Sequence, residues 1–396
     1  MIFPSLFSLR TILTLARSTL FADTPVYVQF YVTSRCNLAC VQCNICYSNA
    51  DIPECTLEQV KRIADNLAKI GTGIVLLTGG EPFSRSDLPE IIKEFVSRGI
   101  HVRMQTNGLA SEEAIQRVVE NGGNDISISL DSLDPRRQEL INGGSPKSWH
   151  RAIRAMSLFT KYLSPKNSFA SLGCVLQRKN IRDVEDVIRF GTKIGWYTSV
   201  VPIHTTDKLN PRGFCTFDQN LKFQPSDFPL VDELLSNIRL MREQGFLLYD
   251  SDQYLTNIRA FIHGEPLTWR DRHDGVCDSP NLYFVVLPNG DFAPCCDWRL
   301  EKNNLSVCSK DFPRLFHDQS LKKNVYEITS SCPGCMYGSF PEMTISMRYM
   351  DAKLQRIKNF FTVPPPKPWP ISYEKMLEIA EEIRNTSNNP KNNMIN

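Results

Sequence analysis

Between positions 26 and 202, short apolar runs rich in Val, Ile and Phe alternate with longer stretches in which apolar residues return every three or four positions. The first pattern predicts buried strands and the second amphipathic helices. Strands are expected at 26–31, 74–77, 101–105, 126–130, 168–176 and 198–202, and helices at 56–69, 87–98, 111–121, 149–162 and 180–194. Such regular alternation implies parallel strands joined by helical crossovers, because a parallel pair needs a connection that returns the chain to the same end. A doubly wound sheet and an open relative of the eight-unit barrel both satisfy it. In either, chemistry gathers at the carboxyl ends of the strands.

After position 202 the rhythm breaks. Residues 203–225 read as a loop and 226–263 as helical, and "LYFVVLPNGDFAPCC" sets Asn289-Gly290 between two apolar runs, a hairpin signal. A helix is expected near 344–361, an extended segment over the proline-rich VPPPKPWP, and disorder over 385–396. At the other end, Ile2, Leu6, Leu9, Ile12, Leu13 and Leu20 recur at helical spacing. Arg10 and Arg17 interrupt this run, which stays well short of the ~20 residues of a membrane span. The expectation is a cytoplasmic protein whose first helix packs on the main domain; a membrane-surface helix is the less favoured alternative. The expected domains are an amphipathic helix (1–25), a core (26–225), a helical connector (226–276), a cysteine-rich unit (277–345), C-terminal helices with the proline-rich linker (346–384) and a tail (385–396).

With 396 residues, 42% apolar and 22% charged, the chain can bury a full core. A formal net charge of +2, with both signs interspersed, gives no reason to expect a polyanion, so nucleic acid is excluded as a partner. Thirteen cysteines are an odd number and they cluster, which points to metal and away from a disulfide scaffold.

Cys36, Cys40 and Cys43 form C-x3-C-x2-C just after the first strand. A disulfide would leave one sulfur unpaired. Three thiolates can hold three corners of a cubane and leave one iron open for chemistry. Structural zinc, which wants four ligands, remains open if Cys46 is the fourth. Farther along, Cys277, Cys295 and the pair Cys332 and Cys335 compose a second group, which suits zinc as well as iron.

Cys36-Asn37-Leu38-Ala39-Cys40-Val41-Gln42-Cys43, then Thr78-Gly79-Gly80-Glu81-Pro82, Gln105-Thr106-Asn107-Gly108 and Ser129-Leu130-Asp131 at successive strand ends, together resemble the radical S-adenosylmethionine (radical SAM) superfamily. The resemblance covers roughly residues 27–202. It implies an α/β fold: a partial (β/α)6 barrel of parallel strands with a smaller cysteine-rich α+β C-terminal domain. It also implies that Cys36, Cys40 and Cys43 ligate a [4Fe-4S] cluster whose fourth iron binds S-adenosylmethionine. Gly79, Gly80, Glu81 and Pro82 look like the segment that meets its amino group. Ser129 and Asp131 sit where the superfamily contacts the ribose or methionyl part, with Gln105 and Asn107 bordering the space. Leu176 or Gln177, and Asn180, fall near adenosine contacts. Two departures stand out: Gln42 replaces the frequent aromatic before the third cysteine, and Asn142 stands near the place of a frequent arginine.

The C-x12-G-x4-C spacing from Cys277 through Gly290 to Cys295, with Cys332 and Cys335 later, resembles a SPASM domain in its shorter twitch form. This implies one auxiliary [4Fe-4S] cluster, with Cys296 and Cys308 as rivals to Cys295. Cys46, Cys55, Cys174 and Cys215 read as core or surface thiols. The activity implied is reductive cleavage of S-adenosylmethionine and hydrogen abstraction by the 5'-deoxyadenosyl radical, an oxidoreductase chemistry on a small metabolite or peptide. An external one-electron donor of the flavodoxin or ferredoxin type is implied as well. The segment before position 26 is too short for a peptide-recognition domain, which weighs against a peptide. The alternatives are a membrane-surface radical enzyme acting on a lipid and a non-catalytic iron-sulfur or zinc protein. No residue is identified as the general base.

Overall fold

Strand β1 (Tyr27–Thr33) shows how the sheet divides inside from outside. Val28, Phe30 and Val32 point to the helical layer, while Tyr27 and Tyr31 point to the opposite face, as the two-residue period of a strand requires. The computed structural model describes residues 6–21, 24–43, 52–204, 219–270, 277–300, 305–361 and 367–387. Within them β2 (Ile74–Gly79), β3 (His101–Thr106), β4 (Asp125–Ser129), β5 (Phe169–Leu176) and β6 (Tyr197–Pro202) follow β1 in space in chain order, all parallel. Five helices, Leu57–Lys69, Leu88–Val96, Glu112–Glu120, Ser148–Tyr162 and Val184–Lys193, cover the outer face. The expected six-strand, five-helix core is present.

The hairpin of β7 (Tyr283–Val286) and β8 (Phe292–Ala293) adds to the same sheet, β7 pairing in parallel with β1, which gives the order β6-β5-β4-β3-β2-β1-β7-β8. Beyond these strands the cysteine-rich part is helices and loops, and the sheet curls into a partial barrel. Its two edges approach where His204, two residues beyond β6, bonds Asp297, which follows β8 (Nε2···Oδ2 2.8 Å). The floor of the barrel is plugged by helix α1 (Leu9–Phe21) and helix Ser339–Arg348.

Several local readings change. Helix Pro135–Ile141, which the periodicity did not predict, starts at Asp134, whose side chain accepts from the Arg137 N–H. The regular turn expected from position 180 begins only at Val184, after a short 3-10 turn, because the Asn180 side chain is spent on the Gln177 N–H and on the carbonyls of Asp131 and Val175. The helix expected at 344–361 is two, Ser339–Arg348 and Met350–Phe361, separated at Tyr349, which is extended and donates its hydroxyl to the Thr268 carbonyl (2.7 Å). Helix Tyr373–Ser387 runs into the stretch expected to be disordered; 388–396 lies outside the described residues, as do 205–218 and the prolines at 364–366.

Candidate functional site

The first cysteine group occupies the loop that leaves the carboxyl end of β1. A turn brings the Cys43 N–H to the Cys40 carbonyl (3.1 Å), and the Val41 N–H bonds the Ile141 carbonyl (3.0 Å). Cys36 and Cys43 are both electrostatic neighbours of Cys40. Burial first, and those neighbouring sulfurs next, push the Cys40 thiol up, so a group that takes it as thiolate must supply positive charge. Asn142 stands where an arginine was expected: its Oδ1 faces Cys40 Sγ (3.6 Å), while its amide donates to Ser148 Oγ (3.0 Å).

The end of β2 lies directly on this loop. The Gly80 N–H bonds the Thr33 carbonyl and the Glu81 N–H the Arg35 carbonyl, both at 2.8 Å. A side chain at Gly80 would stand 2.0 Å from the Arg35 carbonyl oxygen, and one at Gly79, whose φ is +137°, 2.2 Å from that of Thr33. Only glycine permits the approach. Glu81 faces inward: its carboxylate accepts from Thr106 Oγ1 (2.7 Å), the Asn107 N–H (2.7 Å) and the Phe83 N–H (3.0 Å). Burial raises its pKa to about 7 against these bonds. It therefore braces the β3 end, and its oxygens are already used. Asn107 in turn reaches Asn37 (2.7 Å) and the Cys36 sulfur (3.9 Å).

On the other side a buried polar chain runs from β4 to β5. Asp131 accepts from the Val175 N–H (2.6 Å) and from Gln42 (2.8 Å), and Gln42 accepts from Gln177 (2.9 Å). Burial lifts Asp131 to about 6. Gln42, which stands in place of the expected aromatic, thus links the cysteine loop to two of the residues singled out in the sequence. Gln177 Oε1 is buried with no hydrogen-bond partner among the described residues. An orphaned acceptor on a side chain bonded to the cysteine loop through Gln42 fits a ligand that brings a donor, such as the amino or hydroxyl groups of a nucleoside. Gln105 and Ser129 line the open inner face, where Gly173 leaves room next to Ser127 and Gln105.

The second group gathers at the seam between the sheet's edges. Cys277, Cys295, Cys332 and Cys335 are electrostatic neighbours: Cys295 of Cys277 and Cys335, and Cys332 of Cys277 and Cys335. Cys296 turns away into the barrel, where Tyr31 Oη donates to its sulfur (3.0 Å). Cys308 pairs with Cys55. Neither rival has Cys277, Cys332 or Cys335 among its principal electrostatic neighbours. Among the described residues no three His, Cys, Asp or Glu side chains stand close enough to share one metal ion; a cubane is wider and holds its thiolates farther apart. Cys174 is buried in β5, and Cys46 and Cys215 lie outside the described residues.

Sequence reading missed the seam itself. His204 bonds Asp297 Oδ2, Asp297 Oδ1 accepts from Tyr337 Oη (2.9 Å), and His204 Nδ1 is buried without a partner among the described residues. Its position just beyond a barrel strand was the one available signal; the partners come from far along the chain.

A barrel of parallel strands with a glycine edge laid on a three-cysteine loop is the architecture of enzymes that hold an iron-sulfur cluster against a nucleoside-bearing cofactor. Residues 30–191 match the Radical SAM superfamily. The chain is 26% identical over 176 residues to an AdoMet-dependent heme synthase of Methanosarcina barkeri (44% of this chain, 49% of the relative), and 35% identical over 124 residues to a GTP 3',8-cyclase of Tolumonas auensis (30% and 36%). It thus spans about half or less of these relatives. The mycofactocin maturase MftC of Mycobacterium tuberculosis is 26% identical over 327 residues, covering 79% of this chain and 76% of the maturase. In fold it is similar to Streptococcus suis SuiB bound to the precursor peptide SuiA (TM-score 0.60, 16% identity, 87% and 77% covered) and to anSMEcpe with bound AdoMet and a peptide (TM-score 0.54, 15%, 92% and 99%).

Proposed function

We propose that this chain is a radical SAM oxidoreductase in which Cys36, Cys40 and Cys43 hold a [4Fe-4S] cluster with one open iron and Cys277, Cys295, Cys332 and Cys335 hold a fully ligated auxiliary [4Fe-4S] cluster. The observation that carries this reading is the convergence of the two cysteine groups on one barrel, one at the β1 loop against the Gly79-Gly80 edge and one at the seam. With S-adenosylmethionine bound and an electron from a flavodoxin- or ferredoxin-type donor, a cluster held by these three cysteines would supply the radical chemistry that takes hydrogen from an unactivated carbon. The protein's part is position and dryness. The backbone of residues 79–82 would meet the amino group of the cofactor, and Ser129, Asp131, Gln105, Asn107 and Gln177 would border its nucleoside. At the seam the hydrogen-bonded pair of His204 and Asp297 is our candidate to take the proton that an oxidised substrate must release.

The substrate we favour is a peptide. The maturase is matched over most of both chains, and the two neighbours in fold were solved with peptides. A small metabolite is the second reading. Replacing Cys36, Cys40 and Cys43 together by Ala is expected to lower iron from about eight to about four per chain and to abolish 5'-deoxyadenosine formation under anaerobic reduction. Undiminished cleavage in that variant would overturn the assignment. Deuterium transfer from labelled peptides into 5'-deoxyadenosine identifies the substrate class.

A further inference from the structure

Cys55 and Cys308 belong to neither cysteine group, yet their thiols are hydrogen-bonded to each other. Cys55 is 1% exposed and Cys308 half-buried. The contact is built into the backbone on both sides. Cys55 donates its N–H to the Pro288 carbonyl (2.8 Å) and immediately precedes Thr56, which caps helix α2 (Leu57–Lys69) in a reciprocal capping box with Gln59. Cys308 is fixed from the same helix: buried Asn66 donates to the carbonyls of Val307 and Ser309, both at 2.8 Å, and the Val307 N–H bonds the Gly290 carbonyl (2.8 Å). Gly290 completes the frame. A side chain there would stand 2.6 Å from the Cys308 sulfur and 3.0 Å from that of Cys55, so the hairpin turn is shaped to leave both sulfurs facing one small space.

We propose that Cys55 and Cys308 form a thiol–disulfide site that exchanges with small-molecule disulfides of the glutathione class and, when oxidised, covalently links the start of α2 to the segment 306–309 that lies against the hairpin turn of the cysteine-rich part. The Cys308 thiolate attacks the small disulfide, forming a mixed disulfide and expelling one thiolate. Cys55 then loses its proton and attacks the Cys308 sulfur, expelling the second. Two protein S–H bonds and one small-molecule S–S bond are consumed, and one protein S–S bond and two small-molecule thiols are formed. The bond from Cys55 and the Ser306 hydroxyl hold Cys308 down to about 7 against burial, while its bond to Cys308 and burial push Cys55 up; Cys308 is therefore the attacking sulfur and Cys55 the resolving one. The link would join the segment following the first cysteine loop to a segment that is itself bonded, through Val307, to the turn leading to Cys295.

The test uses anaerobic, cluster-loaded protein equilibrated with mixtures of reduced and oxidised glutathione, over the range in which its visible absorbance is retained. Acid quenching, alkylation, digestion and mass spectrometry then follow. The expected result is a Cys55–Cys308 cross-linked peptide that rises with the oxidised fraction while two alkylatable thiols per chain are lost. C55S is expected to accumulate a stable glutathione adduct on Cys308, and C308S to show neither link nor adduct at Cys55. Full alkylation of both cysteines in the wild type at every ratio overturns the proposal, as does an adduct on wild-type Cys308 that never resolves into the link. The wild-type result decides the matter even if a variant folds poorly. It does not depend on the substrate or on any activity, so its failure leaves the proposed function standing.

Discussion

At the scale of single residues, the buried carboxyls define what pH does to this protein. Asp250 accepts from Ser199 Oγ and the Val200 N–H, both at 2.6 Å, and burial still lifts its pKa from 3.8 to about 6. A carboxyl whose folded pKa lies above its unfolded one contributes stability that is complete below the unfolded value and lost as the pH rises through the folded one. The wild type is therefore expected to lose up to roughly 3 kcal/mol through this group between about pH 4 and pH 7. In Asp250→Asn the amide can donate to Ser199 and the carbonyl can accept from Val200, so both bonds survive without the charge. The melting temperature of the variant should fall less across that window than that of the wild type. Equal slopes would show that Asp250 titrates normally. Glu342, lifted by burial to about 7, titrates with the same sign beside it, so the difference between the two proteins is the readout.

At the scale of elements, the critical junction is the end of β2 against the cysteine loop. Gly80→Ala places a methyl group 2.0 Å from the Arg35 carbonyl oxygen, which forces residues 33–36 off the strand. The expected outcome is a folded protein that has lost iron at the first group, near half the wild-type content, with S-adenosylmethionine binding lost in parallel. Gly144→Ala is the control: its φ is also positive, at +79°, but nothing lies within 4 Å of the added carbon. It should cost about 1 kcal/mol of stability and no iron. Equal iron in Gly80→Ala and wild type would mean that the loop tolerates separation from β2.

At the scale of the whole molecule, α1 shows how a segment far from the site supports it. Arg10 donates to the carbonyls of Thr72 and Ala68, Thr11 to those of Gly73 and Gly99, and Thr14 to that of Gly71. These bonds satisfy the turns that feed β2 and β3 from below, while Phe7, Ile12 and Leu15 pack on the barrel floor. Leu9, Leu13 and Phe21 remain exposed, and no helix of the described residues is long and apolar enough to cross a membrane. Deleting residues 1–21 is expected to lower the melting temperature, since each bond is worth about 1 kcal/mol, and to leave sedimentation with anionic vesicles unchanged. Sedimentation of the intact protein that disappears on truncation would make α1 an interfacial helix.

The strand and helix order was legible in the sequence because each element carries its own pattern: 27–33 is a nearly unbroken apolar run, buried on both faces, and 57–69 repeats every three to four residues. Cys36, Cys40 and Cys43 were legible because one short loop supplies all three, and Gly79 and Gly80 because close backbone contact excludes every side chain but hydrogen. Helix Pro135–Ile141 was not, since seven residues are too few for a period to stand out. What only the tertiary structure decided is which distant groups meet. The curl of the sheet brings Asp297 to His204, places Gln42 between Asp131 and Gln177, turns Cys296 inward to Tyr31, and sets Cys308 against Cys55. Local sequence encodes the preference of each element for a face. The closure of the barrel depends on burying all those faces at once, and no single segment carries that information.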